Sequence, residues 1–221
     1  MQTFDVILLT ETRSAMWDDS VLPDHSVAFI PASRDGQAGE GILVATRRNR
    51  LYQVLDWASD DSTLCVKLNV QGSCKPIILG CCYIPPSGSP QLHSFDLTAR
   101  LTSMTAMVAA AVSEGDVLLA GDFNARVAQL CECDDVAYTF RGCSDTTVTV
   151  HGRSLIEACK QSGLLLCTGR APGDELAVPT FKARSRTQAS RPDHVLVSRG
   201  LLPNIKASKD RPATAHSGTP K

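Results

Sequence analysis

The sequence has no long apolar run. Its longest, such as Val6-Ile7-Leu8-Leu9 and Val117-Leu118-Leu119-Ala120, fall far short of the roughly 20 residues that span a bilayer, so no membrane partner is expected. No basic stretch precedes the first apolar run, in Met1-Gln2-Thr3-Phe4-Asp5, so a secretory signal is not expected either. There is no surplus of positive charge: 22 Lys and Arg against 23 Asp and Glu leave a net charge of −1. That removes the whole-chain signature of a strongly basic nucleic-acid binder and leaves room only for a local patch. Internal repeats and linkers are missing too. The nine cysteines keep no framework spacing. Cys65, Cys81, Cys82, Cys159 and Cys167 lie in apolar runs, where a free thiol acts as a small buried hydrophobe. This implies a reducing, intracellular compartment, cytoplasmic or nuclear. Cys131, Cys133 and Cys143 with His151 could supply four zinc ligands, but C-x-C-x9-C-x7-H is not a standard zinc spacing. A plain cysteine-containing loop is the other reading.

What is present fits a single globular domain. The chain has 221 residues, 43% apolar and 20% charged, close to the globular average. Short strand-like runs come first: Phe4–Thr10, Ser26–Ile30, Gly41–Thr46, Leu51–Trp57, Ser62–Val70 and Pro76–Tyr83. In the fifth, Leu64, Val66, Leu68 and Val70 alternate with Cys65, Lys67 and Asn69, the period-2 sign of a half-buried strand. Ser89 and Pro90 then suit the start of a helix, along which Leu101, Met104, Val108, Ala111 and Val112 recur at three- and four-residue steps. Gly115 stops it. A buried strand follows at Asp116–Ala120, a second helix at His151–Ser162, and strands at Leu164–Cys167, Val178–Phe181 and His194–Val197. The irregular stretch Ala125–Val150 is expected to be a surface loop or hairpin. Many strands with few interspersed helices predict two packed sheets with helices outside.

The sharpest chemical feature is Gly121-Asp122-Phe123-Asn124-Ala125-Arg126. A buried strand delivers a carboxylate and a carboxamide two residues apart, just past its end. There a rigid sheet can hold reactive groups on an open rim. Asp122 can accept a proton or a metal contact; Asn124 can donate and accept. Gly-Asp-x-Asn is also an ordinary turn sequence. Other strands end similarly: Phe4–Thr10 runs into Glu11, Pro76–Tyr83 ends in a phenol, and Ser190-Arg191-Pro192 opens a strand at Asp193. If these ends converge, Glu11, Asp122 and Asp193 form an oxygen-rich cluster suited to Mg²⁺. Lys182, Arg184, Arg186 and Arg191 fall in one ten-residue stretch with no acid, a nucleic-acid-binding candidate or simply a solvated basic loop. Arg47, Arg48 and Arg50 make a second basic cluster.

Six segments in order carry a resemblance: Leu9-Thr10-Glu11-Thr12, Tyr83-Ile84-Pro85-Pro86, Gly121-Asp122-Phe123-Asn124-Ala125-Arg126, Gly152-Arg153-Ser154-Leu155, Pro179-Thr180-Phe181 and Arg191-Pro192-Asp193-His194-Val195-Leu196-Val197-Ser198. Together they resemble the endonuclease/exonuclease/phosphatase family of DNase-I-like and abasic-site nucleases, and most of all the endonuclease domain of non-LTR retrotransposons. The resemblance implies an α+β fold, a four-layer α/β-β/α sandwich of two mainly antiparallel sheets flanked by helices. It implies one domain over residues 1–212, with 213–221 as a disordered tail. It also implies phosphodiester hydrolysis on DNA with Mg²⁺ or Mn²⁺, nicking to a 3′-hydroxyl, and fusion to a reverse transcriptase in the intact element. By this resemblance Glu11 ligates the metal, Asp122 positions or deprotonates the attacking water, Asn124 hydrogen-bonds the phosphate or the water, Tyr83 contacts the phosphate, and Asp193 orients the cluster. The basic stretch corresponds to a DNA-contacting hairpin.

Three departures accompany it. The family's opening strand, with its metal-site Asn, has no counterpart, and neither does its closing strand. The final Ser-Asp-His motif is matched only by Ser208-Lys209-Asp210, with Lys for Asp and Asp for His. Thr168-Gly169 stands where relatives often have Asn-Gly, a minor change. Activity in this copy is accordingly expected to be weakened or lost, and an inactive DNA-binding remnant, a gene-model fragment or another phosphodiesterase of the same fold are the alternatives.

Overall fold

The computed structural model describes residues 4–32, 41–88, 97–182 and 189–206. Three early strands, β1 (Val6–Leu9), β2 (His25–Ile30) and β3 (Ile42–Arg47), form an antiparallel sheet in the order β1-β3-β2. A second sheet has six strands: β4 (Tyr52–Ser59), β5 (Thr63–Val70), β6 (Ile77–Tyr83), β7 (Asp116–Asp122), β8 (Leu164–Leu166) and β11 (Asp193–Ser198), in the order β4-β5-β6-β7-β11-β8. Between them in sequence, β9 (Phe181–Lys182) and β10 (Ala189–Ser190) pair as a small hairpin. All neighbours in the large sheet are antiparallel except β6 and β7. A parallel pair needs a crossover, and helix α1 (Leu97–Glu114) lies within it.

The two sheets face each other. Val44 and Ile42 of β3 pack with Leu64, Val66, Leu68 and Leu79 of the large sheet. On the large sheet's other face, Leu101, Met104 and Val108 of α1 and Leu155, Ile156 and Cys159 of helix α3 (Val150–Ser162) close over Ile78, Val117 and Leu119. Full burial of each such side chain contributes about 1.5–3 kcal/mol. This is the two-sheet α+β sandwich expected from the sequence, with both long helices on the outer side of the larger sheet. None of the described helices is long and apolar enough to cross a membrane. Ser89 and Pro90, the expected start of the first helix, lie outside the described residues.

Helix α3 begins one residue before the expected start because Thr149 caps it: its Oγ1 accepts from the Gly152 N–H at 3.1 Å. It ends at Gly163 in the left-handed conformation, φ 71°, whose N–H bonds the Cys159 carbonyl. Two expectations fail. Val178–Phe181 is not a strand except at Phe181, since Pro179 has no N–H to give a ladder and the Val178 carbonyl accepts from the Arg191 guanidinium. Of the two readings of the stretch 125–150, surface loop or hairpin, the surface loop fails. An antiparallel bridge Val127↔Val148 closes it, a one-turn helix α2 (Val136–Thr139) interrupts it, and Ala125, Val127, Glu132, Arg141 and Asp145 are buried. Its polar groups find distant partners: Glu132 accepts from the Leu166 N–H at 2.7 Å and pairs with Arg170, and Arg141 donates to the Leu130 carbonyl at 3.1 Å.

All nine cysteines are free thiols. Cys65, Cys81, Cys82, Cys159 and Cys167 are buried, as their apolar neighbourhoods predict. The zinc grouping does not form. Cys131 Sγ donates to the Cys133 carbonyl, Cys143 Sγ to the Asp145 carbonyl, and His151 Nδ1 meets the Asn124 carbonyl. Among the described residues no three His, Cys, Asp or Glu side chains converge on one ion.

Candidate active site

The strand registers line up the candidate residues at one end of the large sheet. Tyr83, the last residue of β6, lies beside Asp122, the last of β7. Asp122 in turn lies opposite Asp193, the first residue of β11. Glu11 arrives from the other sheet, two residues after β1, and its Oε1 accepts a 2.8 Å hydrogen bond from the Tyr83 hydroxyl. Four residues spread over 183 positions of sequence thus share one rim. The polar tip of Tyr83 is not turned outward: the residue is 4% exposed.

The turn after β7 is built around Asp122. Its Oδ1 accepts from the Asn124 N–H at 2.9 Å, and Asn124 Nδ2 donates to the Ile84 carbonyl at 2.9 Å. Asn124 has φ 45°, a left-handed conformation that Asn tolerates better than most residues. Glu11 has φ 53°, where a non-glycine residue pays on the order of 1–3 kcal/mol in strain. Gly121 is required for another reason: a Cβ there would sit 1.9 Å from the Cys82 carbonyl oxygen. That contact lets β7 lie close against β6 beside the site.

Burial pushes the Asp122 carboxyl up to about 7; the Asn124 N–H opposes the rise, and the charges of Asp193 and Glu11 add to it. Burial also raises the Tyr83 phenol, reinforced by its bond to Glu11 and by the charges of Glu11 and Asp122, so it stays protonated and donates. His194, beside Asp193, is held neutral: burial lowers it to about 4, and its Nε2 lies 2.8 Å from the Ala125 carbonyl. Arg13 lies 3.8 Å from Glu11, and Arg191 lines the same cavity as Asp122 and Asp193. A cavity of about 230 Å³ opens beside them, lined by Leu8, Cys81, Asp122, Thr180, Asp193 and His194 among others.

A second layer of charge fixes the turn. Arg126 grips Asp145 through Nε and Nη2, both at 2.7 Å. Asp145 also accepts from the Arg191 N–H at 3.4 Å, and the Arg191 guanidinium grips Asp174 twice at 2.8 Å. Arg191, grouped by sequence with the nucleic-acid-binding stretch, is therefore buried at 5% exposure and committed to an ion pair. It also lines the cavity beside Asp122 and Asp193. Lys182 is exposed on β9. Arg184, Arg186, Ser208, Lys209 and Asp210 lie outside the described residues. Sequence reasoning assigned no role to Thr180, whose hydroxyl donates to Asp193 Oδ2, nor to Asp145 and Asp174. Thr180 was visible in Pro179-Thr180-Phe181, but nothing in that segment names its partner 13 residues on.

Fold and rim together define a class. The model of the Endonuclease/Exonuclease/phosphatase family matches residues 1–214, and the chain belongs to that family. A comparison with curated proteins gives no match. Among solved structures it is similar to the endonuclease domain of TRAS1, a telomere-specific non-LTR retrotransposon, at 16% identity and a TM-score of 0.60 over 90% of this chain and 75% of that one. It is also similar to the AP endonuclease LMAP of Leishmania major, at 15% identity and TM-score 0.63, over 90% and 71% of the two chains. A 3′-5′ exonuclease of Neisseria meningitidis gives 15% identity and TM-score 0.64, over 90% and 78%. At such identities the likeness is one of fold.

Proposed function

We propose that this chain is a divalent-metal-dependent phosphodiesterase domain acting on DNA, of the retroelement endonuclease type that nicks one strand to a 3′-hydroxyl. The observation that carries this reading is the Asp122 carboxyl, pushed to about 7 at the end of β7 with Asn124, Tyr83–Glu11 and Asp193 around it. A carboxylate of that basicity takes a proton from an attacking water near neutral pH far better than an ordinary one. Asn124 is placed to orient the water or a non-bridging phosphate oxygen, and Tyr83 to set the direction of Glu11 and to meet the phosphate. Thr180 holds Asp193 beside Asp122.

Glu11, Asp122 and Asp193 offer only oxygen donors, which suits Mg²⁺ or Mn²⁺, although among the described residues the three do not form the converged cluster expected from the sequence; Mg²⁺ is ordinarily held by one or two carboxylates together with water and substrate phosphate. Glu11 would be the principal ligand, with Asp122 or Asp193 near it. When bound, the ion supplies positive charge to the phosphate oxygens and the leaving oxygen. Lys182, with Arg184 and Arg186, would contact the DNA backbone. We propose one domain over residues 1–212, an intracellular location, and fusion to a reverse transcriptase in the intact element. The replacement of Asp-His by Lys209-Asp210 supports a slowed enzyme, since an acid–base group is worth about 10²–10⁴-fold in rate.

Supercoiled plasmid incubated with the chain and MgCl₂ tests the reading. Slow nicking is expected, stopped by EDTA and by Glu11→Ala. Replacing Lys209 by Asp and Asp210 by His together should speed it. Nicking that survives Glu11→Ala, or a phosphoinositide or RNA substrate preferred over DNA, overturns it.

A further inference from the structure

Four arginines stand in or against the stretch 125–150, and three of them have a carboxylate. Arg126 pairs with Asp145, Arg170 with Glu132 and Arg191 with Asp174. The fourth, Arg141, is 4% exposed and among the described residues has no carboxylate within ion-pair distance. Its Nη2 donates to the Ala128 carbonyl and, at 3.1 Å, to the Leu130 carbonyl. The other three of its five N–H donors, on Nε and Nη1, are buried with no hydrogen-bond partner.

The groups around Arg141 do not balance its charge. The carboxylate whose charge reaches it is Glu132, and a second cation, Arg170, stands with them. Glu132 Oε1 already accepts from Arg170 and from the Leu166 N–H. Whichever guanidinium it faces, one carboxylate cannot neutralise two. The Cys143 sulfur lies beside Arg141, but its S–H donates to the Asp145 carbonyl at 3.2 Å, so the thiol keeps its proton there. His194 is also within electrostatic reach, and burial holds its ring neutral at about 4. Burial lowers the Arg141 guanidinium from its ordinary range, yet a guanidinium does not give up its proton in proteins. One positive charge is left over, and a buried charge without a partner is strongly unfavourable.

We propose that Arg141 holds a small monovalent anion, of the size of chloride, as a resident structural ion. The ion accepts from donors that otherwise have no partner, and it brings the cluster of Arg141, Arg170 and Glu132 to neutrality. A dianion such as phosphate is larger and would overshoot the charge by one. Cys143 is only partly buried, so the solvent side of the site is close. The place matters for the rim. The Ala128 and Leu130 carbonyls that Arg141 holds lie four and six residues past Asn124, so the ion steadies the chain where it leaves the turn after β7.

Thermal melting tests this. The whole chain is dialysed into sodium gluconate, which is then exchanged for sodium chloride at fixed ionic strength, so that screening stays constant. A saturating rise is expected, roughly 5–10 °C at a hundredfold excess over the Kd, with bromide able to replace chloride. Arg141→Met removes the charge and should melt alike in both salts. Cys143→Asp leaves Arg141 untouched, supplies a built-in carboxylate beside it, and should also remove the chloride dependence. Where a variant does not fold, crystals of the unmodified chain grown in bromide decide the matter: an anomalous peak against the Arg141 guanidinium is expected. Parent melting indifferent to chloride, a chloride effect that survives in the variants, or no bromide at Arg141 would overturn the proposal.

Discussion

The Tyr83 hydroxyl and Glu11 join the two sheets across their common rim, at 2.8 Å. One partner ends a strand of the large sheet; the other follows a strand of the small one. The bond does two things: it holds a protonated phenol in place, and it fixes which way the Glu11 carboxylate faces.

Tyr83→Phe separates those roles from packing. The ring stays, so folding should lose only about 1 kcal/mol, the usual net worth of one hydrogen bond. Nicking should fall by about 10- to 100-fold, the scale of a misplaced reacting group. Single-turnover nicking and a thermal melt on the same sample check this. A collapsed melt with undiminished activity in the folded fraction would make Tyr83 purely structural.

Asp122 makes stability depend on pH with an unusual sign. Its carboxyl is near 7 when folded against about 3.9 unfolded. Between those values the folded chain holds a proton that the unfolded chain has lost, so stability falls as pH rises through this window. At about 1.4 kcal/mol per unit, the cost at pH 8 is on the order of a few kcal/mol. Asp122→Asn should therefore melt higher than the parent at pH 8, match it near pH 4, and be inactive. Equal melting of the two at pH 8 would show that Asp122 is not destabilised by its site.

Gly121→Ala should damage fold and activity together. The new methyl would meet the Cys82 carbonyl oxygen at 1.9 Å, a backbone atom that cannot swing aside as a flexible side chain would. Overpacking of this kind costs about 1–3 kcal/mol, and relief requires β7 to move from β6, carrying Asp122 with it. Chemical denaturation and nicking of the variant check this; a parent-like midpoint would mean the strands part easily.

Arg191 and Lys182, adjacent in charge pattern, should behave oppositely. Arg191→Ala leaves Asp174 buried without its guanidinium and should destabilise the fold by about 3–5 kcal/mol. Lys182→Ala should leave the melt alone and reduce the log–log salt slope of DNA binding by about 0.9. An unchanged slope would make Lys182 a solvated residue only.

The parts of this molecule legible in the sequence are those whose cause is local. Asp122 and Asn124 stand out because a continuous apolar run ends just before them. Gly163 ends α3 by chemistry within four residues, while the Thr149 cap that starts it goes unread when His151 is taken as its first residue. The larger misreadings involve partners elsewhere in the chain. Arg191 looks like one more cation in a basic stretch until Asp174 is placed against it. Residues 125–150 lack periodicity and so look like a surface loop, yet Glu132 reaches Leu166 and Arg170, and Arg141 reaches back to Leu130. Buried polar networks leave no period to read, only their partners reveal them. The oxygen-rich rim was legible as a list of strand ends, but not the Thr180–Asp193 bond that accompanies it.

Glu11 hangs from the smaller sheet. Among the described residues its supporting strand β1 has four residues and a single neighbour, β3, while Asp122 and Asp193 belong to strands paired on both sides within a six-stranded sheet. Elements with few partners open at lower free energy than the rest of a fold. Anything gripped at once by Glu11 and by the large sheet must hold that weak element shut, so occupancy and local opening become one equilibrium. Amide hydrogens in residues 42–47, exchanging at their own rate in the empty chain, then serve as a built-in gauge of whether the rim is filled.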